Sequence, residues 1–287
     1  MSDTLTFAPL PSRALIAVGG PDWRGFLQNL ITQDVQSLAL GEARFGALLT
    51  PQGRLLHDLF VVGRAEGCWL DVLAEHRAAL LQRLLVYRLR AKVEMTPDET
   101  PVSILFSEAD APIERPPLAG AAGLWVADPR LPALGWRGYG ASAPAGARIA
   151  DEAAREASKL RLGVPGPADW GCDRTYPIEA NFDLLNGIDF RKGCFIGQET
   201  TSRMKRRGQV KSRMLPVVFD GSAPAPGAEV LAGDLRAGQV LSVGEGRAIA
   251  LLRLDRIEAA PLTVEGRPAR VERPGWFRAA LGEEAPV

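Results

Sequence analysis

Residues 189–208 read DFRKGCFIGQETTSRMKRRG, and the stretch gathers a lysine, a cysteine between two glycines, a Gln-Glu pair and a basic run. No other part of the chain is as dense in reactive groups. Gly193 and Gly197 bracket Cys194, and from about Gln198 to Arg207 the residues are good helix formers until Gly208 offers a C-cap. The cysteine is therefore expected just ahead of a helix start. Unpaired backbone N–H groups there, with Lys192 beside the thiol, both favour thiolate over thiol. Two readings stand side by side: a reactive thiol, or a small buried residue at a tight turn, which is the usual fate of a free cysteine. Exposure separates them.

Working outward, a chain of 287 residues exceeds the usual single-domain size, so two or three domains are expected. The formal net charge is zero, which removes any global field for nucleic acid and leaves only local patches. The three cysteines, Cys68, Cys172 and Cys194, are odd in number and far apart, with no CxxC. That argues against a disulfide framework, a zinc site or a self-contained iron–sulfur ligand set, and for a reducing compartment. The start MSDTLTFAPLPSR has no apolar core run, and no apolar run is long enough to cross a bilayer. A cytoplasmic protein with no membrane partner is expected.

Along the chain, RALIAV (13–18) reads as a strand and PDWRGFLQNLITQDV (21–35) as a helix, with Phe26, Leu27, Leu30 and Ile31 on one face and Asp22 as N-cap. FGALLT and LLHDLFVV read as strands joined by the turn PQGR. CWLDVL is a third strand, leading into an amphipathic helix, EHRAALLQRLLVYRLR. VSILF, GLWVA and LGWRG suggest further strands, separated by a Pro-rich loop at 110–121. This order predicts an α+β layer whose sheet is covered on one face. A helix over about 151–161 ends at LGVPGP. From Leu215 the character changes to short β runs, LPVVF, AEVLA, QVLSV, AIALLRL and PLTVEG, which read as a small barrel or sandwich.

With the whole chain read, KGCFIGQE resembles the KGC(Y/F)xGQE signature of the YgfZ-type folate-binding proteins. These are relatives of the glycine-cleavage T-protein and include the late-acting mitochondrial iron–sulfur assembly factors. FLQNLITQDV, PQGRLLHDLFV, RLGVPG, PIEANFDLL and AIALLRL look like family segments in the expected order. The resemblance implies an α+β, three-domain T-protein-like ring around a folate-binding channel, with a C-terminal β-barrel. Residues 1–42 with 145–213 would form a discontinuous folate-binding domain, 43–144 an inserted α+β domain, and 214–287 the barrel. It further implies tetrahydrofolate or a derivative as cofactor. Iron–sulfur assembly proteins and client enzymes would be the partners, in assembling or repairing iron–sulfur proteins, [4Fe-4S] ones especially. Cys194, with its neighbour Lys192, becomes the functional thiol. A lone cysteine cannot hold a cluster, so no metal is held stably, and transient ligation would be shared with a partner or a second subunit.

The resemblance assigns the folate side to Glu179, Asn181, Gln198, Glu199, His57 and Asp58. A carboxylate such as Glu179 can meet the N–H and amino edge of a pterin through two hydrogen bonds. A carboxylate at Glu199 equally complements the opening of a helix, and Gln198 equally opens one. In T-proteins a paired-aspartate segment activates the folate nitrogen. Laid onto PQGRLLHDLFV, its first aspartate falls on His57 and its second on Asp58. A histidine can accept a proton near neutral pH but holds no fixed negative charge against developing positive charge. The expectation is therefore an assembly factor, with a tetrahydrofolate-dependent aminomethyltransferase and a non-catalytic interaction scaffold as the alternatives. On a regular strand His57 and Asp58 point to opposite faces unless a bulge intervenes. The basic run Arg203, Lys205, Arg206, Arg207, Lys211, Arg213 reads first as a solvated helix end. Without interleaved aromatics, nucleic acid is not an expected partner.

Overall fold

The computed structural model describes residues 4–114, 116, 122–206, 208 and 210–282. Arg115 and residues 117–121 of the Pro-rich loop, Met1–Asp3 of the N-terminus and Arg207 of the basic run lie outside the described residues. The chain divides into two compact units, Met1–Arg155 with Leu185–Gln198, and Glu156–Leu184 with Glu199–Val287.

The first unit contains ten strands and two helices among the described residues. In chain order these are β1 (Leu5–Pro9), β2 (Arg13–Gly19), α1 (Trp23–Gln28), β3 (Ala43–Leu49), β4 (Leu55–Arg64), β5 (Gly67–Leu73), α2 (Arg77–Arg88), β6 (Glu94–Asp98), β7 (Val102–Ser107), β8 (Leu124–Ala127), β9 (Trp136–Tyr139) and β10 (Arg148–Ile149). They form two five-stranded sheets, ordered β10-β1-β7-β9-β8 and β3-β4-β5-β2-β6. All pairings are antiparallel except β1 with β10.

β4 is the pivot of this unit, because both of its faces are buried. Leu59 and Val61 enter a core with Phe26 and Leu27 of α1 and Leu80 and Leu84 of α2. On the opposite face Phe60 lies under the guanidinium of Arg137, a residue of β9, at 3.9 Å. The sheet is thus covered by helices on one side and by the second sheet on the other, which corrects the one-face expectation. The reason is a buried ion network that the alternation of apolar residues does not reveal. Asp71 on β5 accepts from Arg13 Nε (2.7 Å), Arg137 Nε (3.1 Å) and the Tyr139 hydroxyl (2.9 Å), and Arg13 also donates to Asp58 (3.0 Å). Burial would raise the Asp71 carboxyl, but Arg13 and Arg137 outweigh it and hold the group below the usual carboxylate range.

α1 is shorter than the pattern over 21–35 suggests. Asp22 caps nothing with its side chain; its Oδ2 accepts instead from the Lys92 N–H (2.7 Å). Beyond Gln28 the chain turns around Asp34, whose carboxylate accepts from Gln28, Ser37 and Arg44. Ile31 then forms an isolated bridge with Leu48, and the Thr32 N–H donates to the Ala47 carbonyl (2.9 Å). Local helical spacing loses here to a side chain that offers the backbone another set of partners.

α3 (Glu152–Arg161) follows, and the second unit adds α4 (Pro167–Trp170) and α5 (Gln198–Arg206). Then come β11 (Ser212–Phe219), β12 (Glu229–Ala232), β13 (Leu235–Gly244), β14 (Arg247–Arg253), β15 (Leu262–Val264), β16 (Arg267–Val271) and α6 (Gly275–Leu281). The six strands close into a barrel in the order β11-β14-β13-β12-β15-β16. Its interior is filled by Leu215, Val217, Val230, Val240, Ala250 and Leu252, and closure removes exposed strand edges. The barrel expected after Leu215 is therefore present. No helix among the described residues is long and apolar enough to cross a membrane.

Candidate functional site

The loop before α5 is built to present Cys194. Lys192, two residues earlier, donates from Nζ to the carbonyls of Ile31 (2.7 Å) and Gln33 (2.8 Å) and lies over the Phe195 ring at 5.5 Å. Burial pushes its ammonium down to about 8, against the pull of Asp34 and Asp189. On the other side Gly197 has φ +78°, and a Cβ there would lie 2.6 Å from the Thr50 carbonyl oxygen, so only glycine fits. Phe195 is buried between the two anchors. Pinned at both ends, the loop leaves Cys194 exposed. Cys68 is the opposite case: it is fully buried, and burial pushes its thiol far up, which makes it inert. Cys172, in the second unit, is exposed. The exposure that the sequence left open thus favours Cys194 as an accessible thiol. Lys192 directs its N–H groups at backbone carbonyls, so what the structure gives it is the anchoring of the loop.

His57 and Asp58 point to opposite faces of β4. A register shift with β3 does occur, but it falls at Leu56, ahead of the pair, so alternation holds from His57 onward. Asp58 (5 % exposed) is taken up by Arg13 in the ion network. His57 (7 % exposed) lies on the helix-covered face, edge-on to His76 of the 3-10 turn Ala74–His76, with ring centroids 5.3 Å apart. Its Nδ1 is buried with no hydrogen-bond partner. Burial first, then the neighbouring His76, push the His57 imidazole down to about 4, so it is neutral at physiological pH. A neutral, buried imidazole there carries no negative charge.

In the second unit the PIEANFDLL segment is a tight, polar-braced turn. Glu179 is half-buried, and its Oε2 accepts from the Tyr176 N–H (3.0 Å), which fixes the carboxylate. Its carbonyl receives the Met214 N–H (2.8 Å). Asn181 is fully buried with φ +61°, its amide donating to the Met214 carbonyl (2.7 Å) and accepting from Arg213 (3.1 Å). Arg213 grips Asp183 through two parallel bonds of 2.8 and 2.9 Å. It is therefore a buried clamp and not part of a solvated basic face; Lys205 also reaches Asp183 at 3.6 Å. In α5, Glu199 is exposed in the first turn, where a carboxylate complements the dipole, and Gln198 is half-buried.

The residues singled out from the sequence are thus divided. His57, Asp58, Lys192, Cys194 and Gln198 belong to the first unit, and Glu179, Asn181 and Glu199 to the second. Sequence reasoning missed His76, the Asp183–Arg213 clamp and the Asp71 network. The chain has only two histidines, and the structure brings them edge-on to each other.

The α+β architecture with its closed six-stranded barrel is the fold of a glycine-cleavage T-protein. The glycine cleavage system aminomethyltransferase T from Bartonella henselae shares this fold with a TM-score of 0.76 at 18% identity, over 95% of this chain and 86% of that one. Residues 211–279 match the family model of the CAF17 C-terminal beta-barrel domain. Human mitochondrial iron-sulfur cluster assembly factor IBA57 is 34% identical, covering 80% of this chain and 74% of its own length. The mouse protein is 31% identical over 89% and 79%. The Neurospora crassa homolog is 34% identical over 75% of this chain, but the chain spans only 54% of that relative's length. The chain belongs to the IBA57 family. The mitochondrial naming of these relatives overturns the expectation of a cytoplasmic protein.

Proposed function

We propose that the chain is a folate-binding accessory factor for the assembly or repair of iron–sulfur proteins, [4Fe-4S] proteins in particular, and that Cys194 is its working thiol. The observation that carries this reading is the braced presentation of Cys194, exposed on a loop anchored by Lys192 and Gly197. Family relatives named as iron-sulfur cluster assembly factors support the assembly role. The cluster is cargo: one exposed thiolate supplies one ligand, and the remaining ligands come from an assembly protein or client enzyme.

Tetrahydrofolate or a derivative fits what the second unit offers. Glu179 is a half-buried carboxylate whose orientation is set by a backbone N–H, as recognition of a pterin edge requires. Asn181 and the Arg213–Asp183 clamp hold that turn in place. The neutral His57 gives no fixed negative charge, so transferase turnover is not part of this reading. Folate chemistry, when the cofactor is bound, is one-carbon carriage.

The test has two arms. Cys194→Ala is expected to fold normally, by circular dichroism, and to lose complementation of an iron–sulfur enzyme defect in cells; full complementation would refute the thiol. Tetrahydrofolate should bind saturably to the wild-type protein and much more weakly to Glu179→Gln. Absence of saturable binding leaves an interaction scaffold. Methylene-tetrahydrofolate made from an aminomethyl-lipoyl donor at T-protein rates makes the chain a transferase.

A further inference from the structure

α2 and the turn after it carry a one-sided charge. From Arg77 to Lys92 the sequence reads RAALLQRLLVYRLRAK, with five cations and no acid, in a chain whose formal net charge is zero. The first turn of α2 holds no carboxylate, although the helix dipole favours one there. Helix formation therefore does not account for this composition. Arg77 is paired with Glu99 at 2.9 Å, whereas Arg83, Arg88, Arg90 and Lys92 are exposed and make no ion pair among the described residues. The nearest acids in sequence, Glu75 and Glu94, lie outside the segment.

α2 buries one face only. Leu80 and Leu84 enter the core, and Leu81, Leu85 and Tyr87 pack partly against it. Ala79, Gln82, Arg83 and Val86 are exposed and fall three and four residues apart, so they share the outer face. Val86 is 73 % exposed and Leu89, just past the helix, 88 %; these are the two most exposed large apolar side chains among the described residues. Leu89 also ends α2 with a φ of +43°, a conformation in which glycine is the usual choice and a leucine is strained. The residue is thus unfavourable for the fold twice over, by its backbone and by its exposure. Strain and apolar exposure at one position, with unpaired cations around it, mark a surface with a role outside the fold.

The occupant must satisfy both the cations and the aliphatic side chains. A second copy of the chain, docked by the same patch, would set these cations against their own symmetry mates. A nucleic acid backbone would meet the cations and leave Val86 and Leu89 in water. A bilayer surface with anionic headgroups meets both, and it needs no pocket shaped to a side chain that stands so clear of its own surface. We propose that the outer face of α2 and the turn at Leu89 form a peripheral contact for an anionic phospholipid surface. Arg83, Arg88, Arg90 and Lys92 meet lipid phosphates and carboxylates, and Val86 and Leu89 enter the boundary between headgroups and acyl chains. Such a contact needs no membrane-spanning helix. It rests neither on the reading of Cys194 nor on that of folate.

Flotation of the whole protein with vesicles tests this. Equimolar phosphatidylcholine–phosphatidylserine vesicles should bind it at least about tenfold more tightly than phosphatidylcholine vesicles, and added salt should weaken the binding. Arg88→Gln/Arg90→Gln/Lys92→Gln should lower affinity about a hundredfold, at roughly fivefold per cation. Leu89→Gly should lower it about tenfold through lost apolar burial. The same glycine variant should unfold at a denaturant concentration no lower than wild type, since it relieves the positive φ and removes no packed side chain. The proposal fails if the wild-type protein binds both kinds of vesicle alike, or if neither variant weakens binding. It fails also if the charge variant loses binding and Leu89→Gly does not, because any polyanion, an acidic protein included, would then serve as occupant. Earlier unfolding of Leu89→Gly would make the leucine a structural residue and overturn the proposal equally.

Discussion

Acidification should destabilise this protein through one residue. His57 is buried and neutral, its imidazole held at about 4 against an ordinary value of 6.5. In the unfolded chain it protonates as pH falls through 6.5, while in the folded chain it does not until pH nears 4. Between those values the unfolded state binds the extra proton, so stability falls as pH falls, and the loss is complete near pH 4. The gap corresponds to about 3 kcal/mol, since each pKa unit is worth about 1.4 kcal/mol. The window is unusually clean. His57 and His76 are the only histidines, and the buried carboxylates Asp71 and Asp128 are held low by arginines, so they withdraw their stabilisation only at more acidic pH. Asp169, whose carboxyl burial raises, acts in the opposite sense, which is why the measurement is a difference between two proteins. Urea unfolding of wild type and His57→Leu would be compared from about pH 7.5 to about pH 4.5. Because His57 Nδ1 has no partner, the variant should lie within about 1 kcal/mol of wild type at the upper end and lose far less stability at the lower end. A wild-type acid slope that survives the substitution would refute the reasoning.

Lys192→Met removes two charge-assisted bonds from a half-buried site and should cost about 2 kcal/mol. It should also speed amide exchange across the Cys194 loop, with Lys192→Arg restoring part of both; unchanged exchange would mean the loop is held by other contacts. Asp71→Asn removes the buried carboxylate that Arg13 and Arg137 share, leaving Arg13 with Asp58 and Arg137 with Asp128 at 3.7 Å, and should cost about 3–5 kcal/mol in denaturant unfolding. A loss under about 1 kcal/mol would show that Asp58, Asp128 and Tyr139 suffice.

Much of the fold was legible because strands and helices carry their own periods. The β3–β4 hairpin with its PQGR turn, α2 with its leucines, and the barrel runs after Leu215 all stand where the pattern put them. The pattern misled at 21–35, where apolar spacing suited a long helix but Asp34 gathered the backbone into a turn. It also misled at Arg213, which looks like one more cation of a basic run and is in fact half of a buried clamp.

What the sequence determined by itself was most of the strands and the longer helices, the order in which they occur and the KGCFIGQE segment that carries the family resemblance, because each of these is written in residues close together along the chain. Only the tertiary structure decided what the candidate side chains touch. Lys192 reaches carbonyls 161 and 159 residues away, and Arg213 meets Asp183 across 30. Such pairings depend on which strands the topology brings together, and local periodicity holds no record of it. The exposure of Cys194 was settled in the same way: the loop ends are pinned by partners remote in sequence, and the thiol is left in solvent.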